Sequence, residues 1–161
     1  MHSRIFELSQ SPVPEDDRYT YDCLPEWFYG QIADYSDDIP DENRSEEIRW
    51  FASSFAGACT CEGEKLTFAP DTAERYFRQA YSKFLSAAAQ LTAYSYEAFC
   101  GKNGWRVLDH AVFELNDAYE DRYGFYVYDR DRSEFRTEDA WLREADLSAP
   151  WYVGGIVDYH F

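Results

Sequence analysis

His110, Glu114, Asp117 and Asp121 recur at intervals of four, three and four residues, so a helix would carry an imidazole and three carboxylates along one flank. Such a set suits general base catalysis or a divalent cation. It would make a small enzyme with a carboxylate and histidine pocket, acting on a sugar or a cationic small molecule, with Tyr and Trp at the rim. The same positions lie opposite Leu108, Ala111, Leu115 and Ala118, where an amphipathic helix is polar in any case. No second ligand set stands out, so a solvated face is the simpler reading.

A second group of acids is denser. Asp34, Asp37, Asp38, Asp41, Glu42, Glu46 and Glu47 put seven carboxylates into fourteen residues, with Arg44 as the one opposing charge. Their summed field attracts cations. Held on a rigid rim, carboxylates two positions apart on a strand stand ~7 Å apart, close to the phosphate spacing along a nucleic-acid strand. The array could then occupy the cleft of a DNA-binding protein. A mobile, solvated acidic loop is the plain alternative.

Other chemistries find less support. Cys59-Thr60-Cys61 has one intervening residue where structural zinc pairs have two to four, and Cys23 and Cys100 stand alone. The Asp129-Arg130-Asp131-Arg132-Ser133 run has oxygens at calcium-loop positions one, three and five. Glu134 and Ala140, however, replace the required Gly and bidentate Glu. A charged hairpin tip accounts for it better. Gly101-Lys102-Asn103-Gly104 is a turn signal without phosphate-loop spacing, and the nucleophile motifs and dinucleotide fingerprints are missing. No metal or cofactor is expected.

Charge sets the class of partner. The chain has 31 acids against 15 Lys and Arg, net −16. Residues 1–50 hold thirteen acids and four bases, residues 51–110 six of each, and residues 111–161 twelve and five. Acidity belongs to the two ends, and the middle is neutral. Such a surface repels nucleic-acid phosphates and anionic lipid, so a basic protein partner is expected, without direct nucleic-acid or membrane binding. Acidity as a solubilising device or as adaptation to high salt would explain the same numbers with no target attached. With no signal peptide, no spanning segment and irregularly spaced cysteines, the expected location is cytoplasmic. The leading functional expectation is a non-enzymatic acidic interaction protein, with a nucleic-acid mimic as its sharpest form.

These residues need elements to position them. The length, 161 residues, and an apolar fraction of 45% predict one α+β domain spanning 1–161. Fourteen Tyr, twelve Phe and five Trp promise a ring-packed core. Asp71 with Glu74 reads as a capping box opening a long central helix from Thr72 to Leu91, extending at most to Cys100 with Gly101 as its stop. Phe77, Ala80, Tyr81, Phe84, Leu85, Ala88 and Leu91 make its apolar face. Shorter helices are expected at Ser45–Phe55, with Glu46 and Glu47 in the first turn, at Asp109–Asp121, and from Thr137. They should pack on a small, mainly antiparallel sheet that includes strands near 125–129 and 151–159, the second bulged at Gly154-Gly155, with weaker strands at 4–8 and 65–68. Residues 9–45, with Pro12, Pro14, Pro25 and Pro40, read as largely irregular, pinned by Trp27, Phe28 and Ile32.

Overall fold

A computed structural model describes residues 1–101 and 104–161. The turn signal at Lys102-Asn103 therefore lies outside the described residues. In chain order the elements are β1 (His2–Ser9), β2 (Tyr35–Asp38), α1 (Asp41–Ser54), β3 (Cys59–Glu62), β4 (Lys65–Phe68) and α2 (Thr72–Thr92), then α3 (Tyr96–Cys100), α4 (Gly104–Tyr119), β5 (Tyr126–Asp129), β6 (Glu134–Thr137), α5 (Glu138–Leu142) and β7 (Trp151–His160). All the strands join one sheet in the order β3-β4-β7-β1-β5-β6. β4 pairs with the start of β7 and β2 with its end, on the edge that β1 leaves free. The β1–β5 pair is parallel and the others are antiparallel. The fold is α+β: a single mixed sheet with several helices on it.

Strand alternation divides β1 between two cores. Phe6 and Leu8 face one side with Val127, Val153 and Ile156, where Ile48 and Phe51 of α1 and Trp141 of α5 cover them. Phe6 stacks on Phe51 at 4.2 Å between ring centroids. Ile5 faces the other side with Tyr126, Val157 and Tyr159. Among the described residues no α-helix contributes to the cluster on that face. Leu24, Phe28 and Ile32 from the irregular stretch do so instead, Phe28 packing edge-on against Tyr126, Phe135 and Tyr159. Ring size makes this workable, because a few aromatic groups cover a sheet face that short aliphatic side chains would leave open.

The bulge expected at the glycine pair is present. Register shifts between Phe6 and Leu8, so that Gly154 and Gly155 share the place opposite Glu7. A Cβ on Gly155 would lie 1.8 Å from the Tyr19 carbonyl oxygen, and one on Gly154 would lie 2.2 Å from a Glu7 carboxylate oxygen. Only glycine lets the irregular segment and a buried acid approach β7 this closely.

Several local expectations need correction. α1 begins at Asp41, directly after Pro40, so Asp41 and Glu42 occupy its first turn in place of Glu46 and Glu47. α2 stops at Thr92, and Gly101 caps the separate α3. Asp71 is the N-cap of α2 without a side-chain cap bond; its carboxylate pairs with Arg75 at 2.7 Å. Asp121 lies beyond the end of α4. β2, β3 and β6 have no counterpart in the sequence reading, and β2 falls within the stretch read as irregular, as do single 3-10 turns at Glu15–Asp17 and Tyr21–Cys23. α2 buries only Thr72 and Ala87. Its base docks on the core through Ala73, Tyr76 and Phe77, and beyond that it pairs with α4.

Candidate functional site

Of the seven clustered acids, Asp34 immediately precedes β2, Asp37 and Asp38 lie on it, and Asp41, Glu42, Glu46 and Glu47 fall in the first two turns of α1. The fold treats them unequally. Glu47 is engaged by Arg4, which donates Nε and Nη2 at 2.9 Å each, and Arg4 also holds Asp158. Asp41 lies 3.2 Å from Arg18 and 3.8 Å from Arg44. Asp34 sits 2.7 Å from His160 Nδ1, and that hydrogen bond holds its carboxyl below the ordinary value. Asp38 accepts the Tyr21 N–H at 2.8 Å. Burial pushes its carboxyl up, and the charges of Asp37 and Asp22 add to the rise.

Asp37, Glu42 and Glu46 remain outward-facing and exposed, with no cation within 4 Å among the described residues. Among the described residues Asp37 accepts from the Tyr35 hydroxyl and the Asp38 N–H. Its register partner on β7 is Asp158. The band as a whole sets Asp22, Asp158 and the seven clustered acids against Arg4, Arg18 and Arg44. Net negative charge survives the pairing, on an edge strand and a helix that fix it in place.

The histidine and carboxylate set divides. His110 and Glu114 lie 3.8 Å apart with side chains 72% and 51% exposed, on a solvated flank of α4. Asp117 and Asp121 instead line a cavity of about 370 Å³ with Glu138 and Asp139 of α5, walled by Trp50, Tyr76 and Phe125 and with Lys83 at its edge. Asp117 of α4 and Asp121 just after it therefore meet carboxylates from a distant element, and the histidine does not take part.

Each buried acid in this cleft has its own donors. Glu138 accepts from Ser54 Oγ at 2.6 Å and from the Tyr76 hydroxyl at 3.0 Å. Burial pushes its carboxyl up to about 8. Asp139 accepts the Asp121 N–H at 2.8 Å, and burial raises it too. Asp121, which also accepts the Tyr123 N–H, is pushed up to about 6 by burial and then by Asp117. Burial thus raises all three of these carboxyls, Glu138 furthest, and environments that separate the values of like groups are what acid–base chemistry uses.

Glu138 and Asp139 were legible only as acids in the first turn of a helix, which are ordinarily exposed. The flanking Thr137 cap and the Trp141-Leu142 pair were the available hint that this turn is pressed into the core. Among the described residues no group of three or more His, Cys, Asp or Glu is arranged to hold a metal ion. The four cysteines are free; Cys59 is buried on β3, which pushes its thiol up to about 12. Asp129 and Asp131 stand at the β5–β6 hairpin, where they accept from Arg132 N and from Ser9 Oγ and Gln10 N. Among the described residues no helix is long and apolar enough to cross a membrane.

No protein-family model, no curated protein and no solved structure matches the chain. The class is that of an acidic α+β protein with one mixed sheet, and function has to be argued from its surface and cleft.

Proposed function

We propose that this is a non-enzymatic interaction protein whose β2–α1 band binds a basic protein partner, in its sharpest form by standing in for nucleic-acid phosphates. The observation that supports it best is the exposure of Asp37, Glu42 and Glu46 on regular elements without a neutralising cation among the described residues. Glu42 and Glu46 stand one helical turn apart, about 6 Å along the axis, comparable to phosphate spacing. The arginines within the band act as internal struts. Arg4 ties α1 to β1 and β7, while Arg44 donates to Glu64 and to the Gly154 carbonyl at 2.7 Å each.

Neutralising Asp37, Glu42 and Glu46 to Asn, Gln and Gln should weaken binding to a basic DNA-binding protein at least tenfold at low salt. A control should neutralise three exposed acids elsewhere, Glu74, Asp109 and Glu114, and leave binding nearly unchanged. Fluorescence anisotropy across a salt series would measure both, with wild-type affinity falling steeply as salt rises. Equal weakening by the two triple variants would leave net charge as the explanation and discard the band.

A second reading is favoured by the convergence of Asp117 and Asp121 on Glu138 and Asp139 between aromatic walls. Such a cleft would take a small organic cation, its ammonium on the carboxylates and its carbon chain on the rings. Calorimetric titration with an aliphatic diamine should give saturable binding that Asp117→Asn removes and Glu114→Gln leaves intact. No heat from the wild-type protein would end this reading.

A further inference from the structure

We infer that His2 and His160 form a two-imidazole site for a divalent transition-metal ion such as Ni²⁺ or Zn²⁺. The two are register partners on the antiparallel strands β1 and β7, so their side chains leave the sheet on one face. Arg4, two positions along β1, bonds Glu47 of α1, which places the pair on the α1 side at the end of the sheet. No local spacing announces it, because the partners come from the first and the last strand.

Hydrogen bonding fixes which nitrogen each ring presents. His2 Nδ1 lies 2.8 Å from Asp158 Oδ2, and His160 Nδ1 lies 2.7 Å from Asp34 Oδ1. An ionised carboxylate only accepts, so each Nδ1 carries the proton. The neutral ring then keeps its lone pair at Nε2, the arrangement in which a carboxylate orients an imidazole ligand and raises its basicity. His160 Nε2 already accepts from the Met1 ammonium at 3.1 Å. A metal ion there replaces one cation by another. Solvent reaches both rings, the His2 side chain being 57% exposed and that of His160 40%.

Ring spacing fits a shared ion. The two centroids stand 5.0 Å apart. With metal–nitrogen bonds of about 2.0–2.1 Å, an imidazole centre lies roughly 3.2 Å from its metal. Neighbouring imidazoles on an octahedral or tetrahedral ion then have centres about 4.5–5.2 Å apart. Water fills the remaining positions. The surrounding charge favours the ion: Asp34 and Asp158 carry the rings, and Asp37 is the register partner of Asp158. Arg4, paired with Asp158, offsets one of these three acids. Imidazole ligands select a transition metal over Mg²⁺ or Ca²⁺, which prefer oxygen.

Ni²⁺ is the better probe, because the free thiols of Cys23 and Cys100 are exposed and draw Zn²⁺. Calorimetric titration of the full chain with nickel chloride should show one ion bound per chain, at least tenfold tighter than magnesium chloride. His2→Gln and His160→Gln should each weaken binding at least tenfold, and His110→Gln, on the solvated flank of α4, should leave it unchanged. In the wild-type chain, paramagnetic Ni²⁺ should broaden the imidazole proton signals of His2 and His160 together and spare those of His110. That second readout stands even where a variant fails to fold. Ni²⁺ binding no tighter than Mg²⁺, or undiminished in either folded variant, overturns the site and leaves the acidic surface at large as the ligand. Broadening of one ring alone, or of neither, overturns it as well.

Discussion

Replacing Glu7 with Leu is expected to cost about 3–5 kcal/mol of unfolding free energy, the range for removing one partner from a buried charged network. Glu7 is fully buried and holds three donors. The Tyr19 N–H lies at 2.8 Å, the Gly155 N–H at 2.7 Å and Arg130 Nη1 at 2.7 Å. One carboxylate thereby fastens the irregular segment, the β7 bulge and the strap after β5 to β1. Leucine fills similar space but accepts nothing, leaving two backbone N–H groups and part of a guanidinium without their acceptor. Glu7→Gln, with one amide oxygen for three donors, should recover only part of the loss. Urea unfolding at neutral pH measures both. Hydrogen exchange at Tyr19 should accelerate in the Leu variant ahead of exchange in β1, because the segment is released before the sheet. Glu144→Ala, at a side chain 57% exposed, should stay within about 0.5 kcal/mol of wild type. A Glu7→Leu loss below about 1 kcal/mol would show that the segment is held by its rings instead.

That hub also marks where sequence reasoning succeeds and fails. α2 was readable almost to the residue, because a 3.6-residue apolar period over twenty positions is a local signal. β5 and β7 were readable from aromatic and β-branched runs, and the bulge from the glycine pair. β2 was not, since Tyr35-Ser36-Asp37-Asp38 holds two acids and becomes a strand only through pairing with β7, more than a hundred residues away. Cys59-Thr60-Cys61-Glu62 likewise becomes β3 through its hairpin with β4. Burial of α2 was overestimated for a related reason. Periodicity shows that a helix has an apolar face but not how much of that face this chain covers.

The candidate sites divide along the same line. The acids of the band were visible as a cluster with Arg44 among them, and their other arginine, histidine and backbone partners were not, because these come from β1, β7 and the segment of the 3-10 turns. In the cleft, Asp117 and Asp121 were visible as an i, i+4 pair. Glu138 joined them unannounced, its donors Ser54 and Tyr76 lying 84 and 62 residues away in sequence. Elements that are short in sequence but central in contacts carry the information that local pattern lacks.

Glu138 gives the strongest expected pH dependence. Its carboxyl is pushed from an ordinary 4.5 to about 8 in the folded protein, because burial penalises the charged form and the neighbouring acids Asp139 and Asp121 repel it, which together outweigh the hydrogen bonds from the Ser54 and Tyr76 hydroxyls. In the unfolded chain it titrates at the ordinary value. Between those limits the folded state holds a proton that the unfolded state has released, so stability falls as pH rises from about 4.5 to 8, by up to about 1.4 kcal/mol per unit. Below 4.5 both states are protonated and the contribution is complete; above 8 both are ionised and the loss levels off. Asp121, raised to about 6, adds a loss of the same sign at the lower end of the window. Glu138→Gln mimics the neutral acid at every pH, keeping an acceptor for Ser54 and a polar group beside Tyr76. Thermal unfolding followed from pH 5 to 8 should show the wild-type Tm declining, the Gln variant declining much less, and the two curves converging at the acidic end. The variant should therefore be the more stable protein at pH 8, by a few kcal/mol. Parallel curves would mean that Glu138 is ionised in the fold and that the cleft is wetter, and more open to a cation, than its geometry implies.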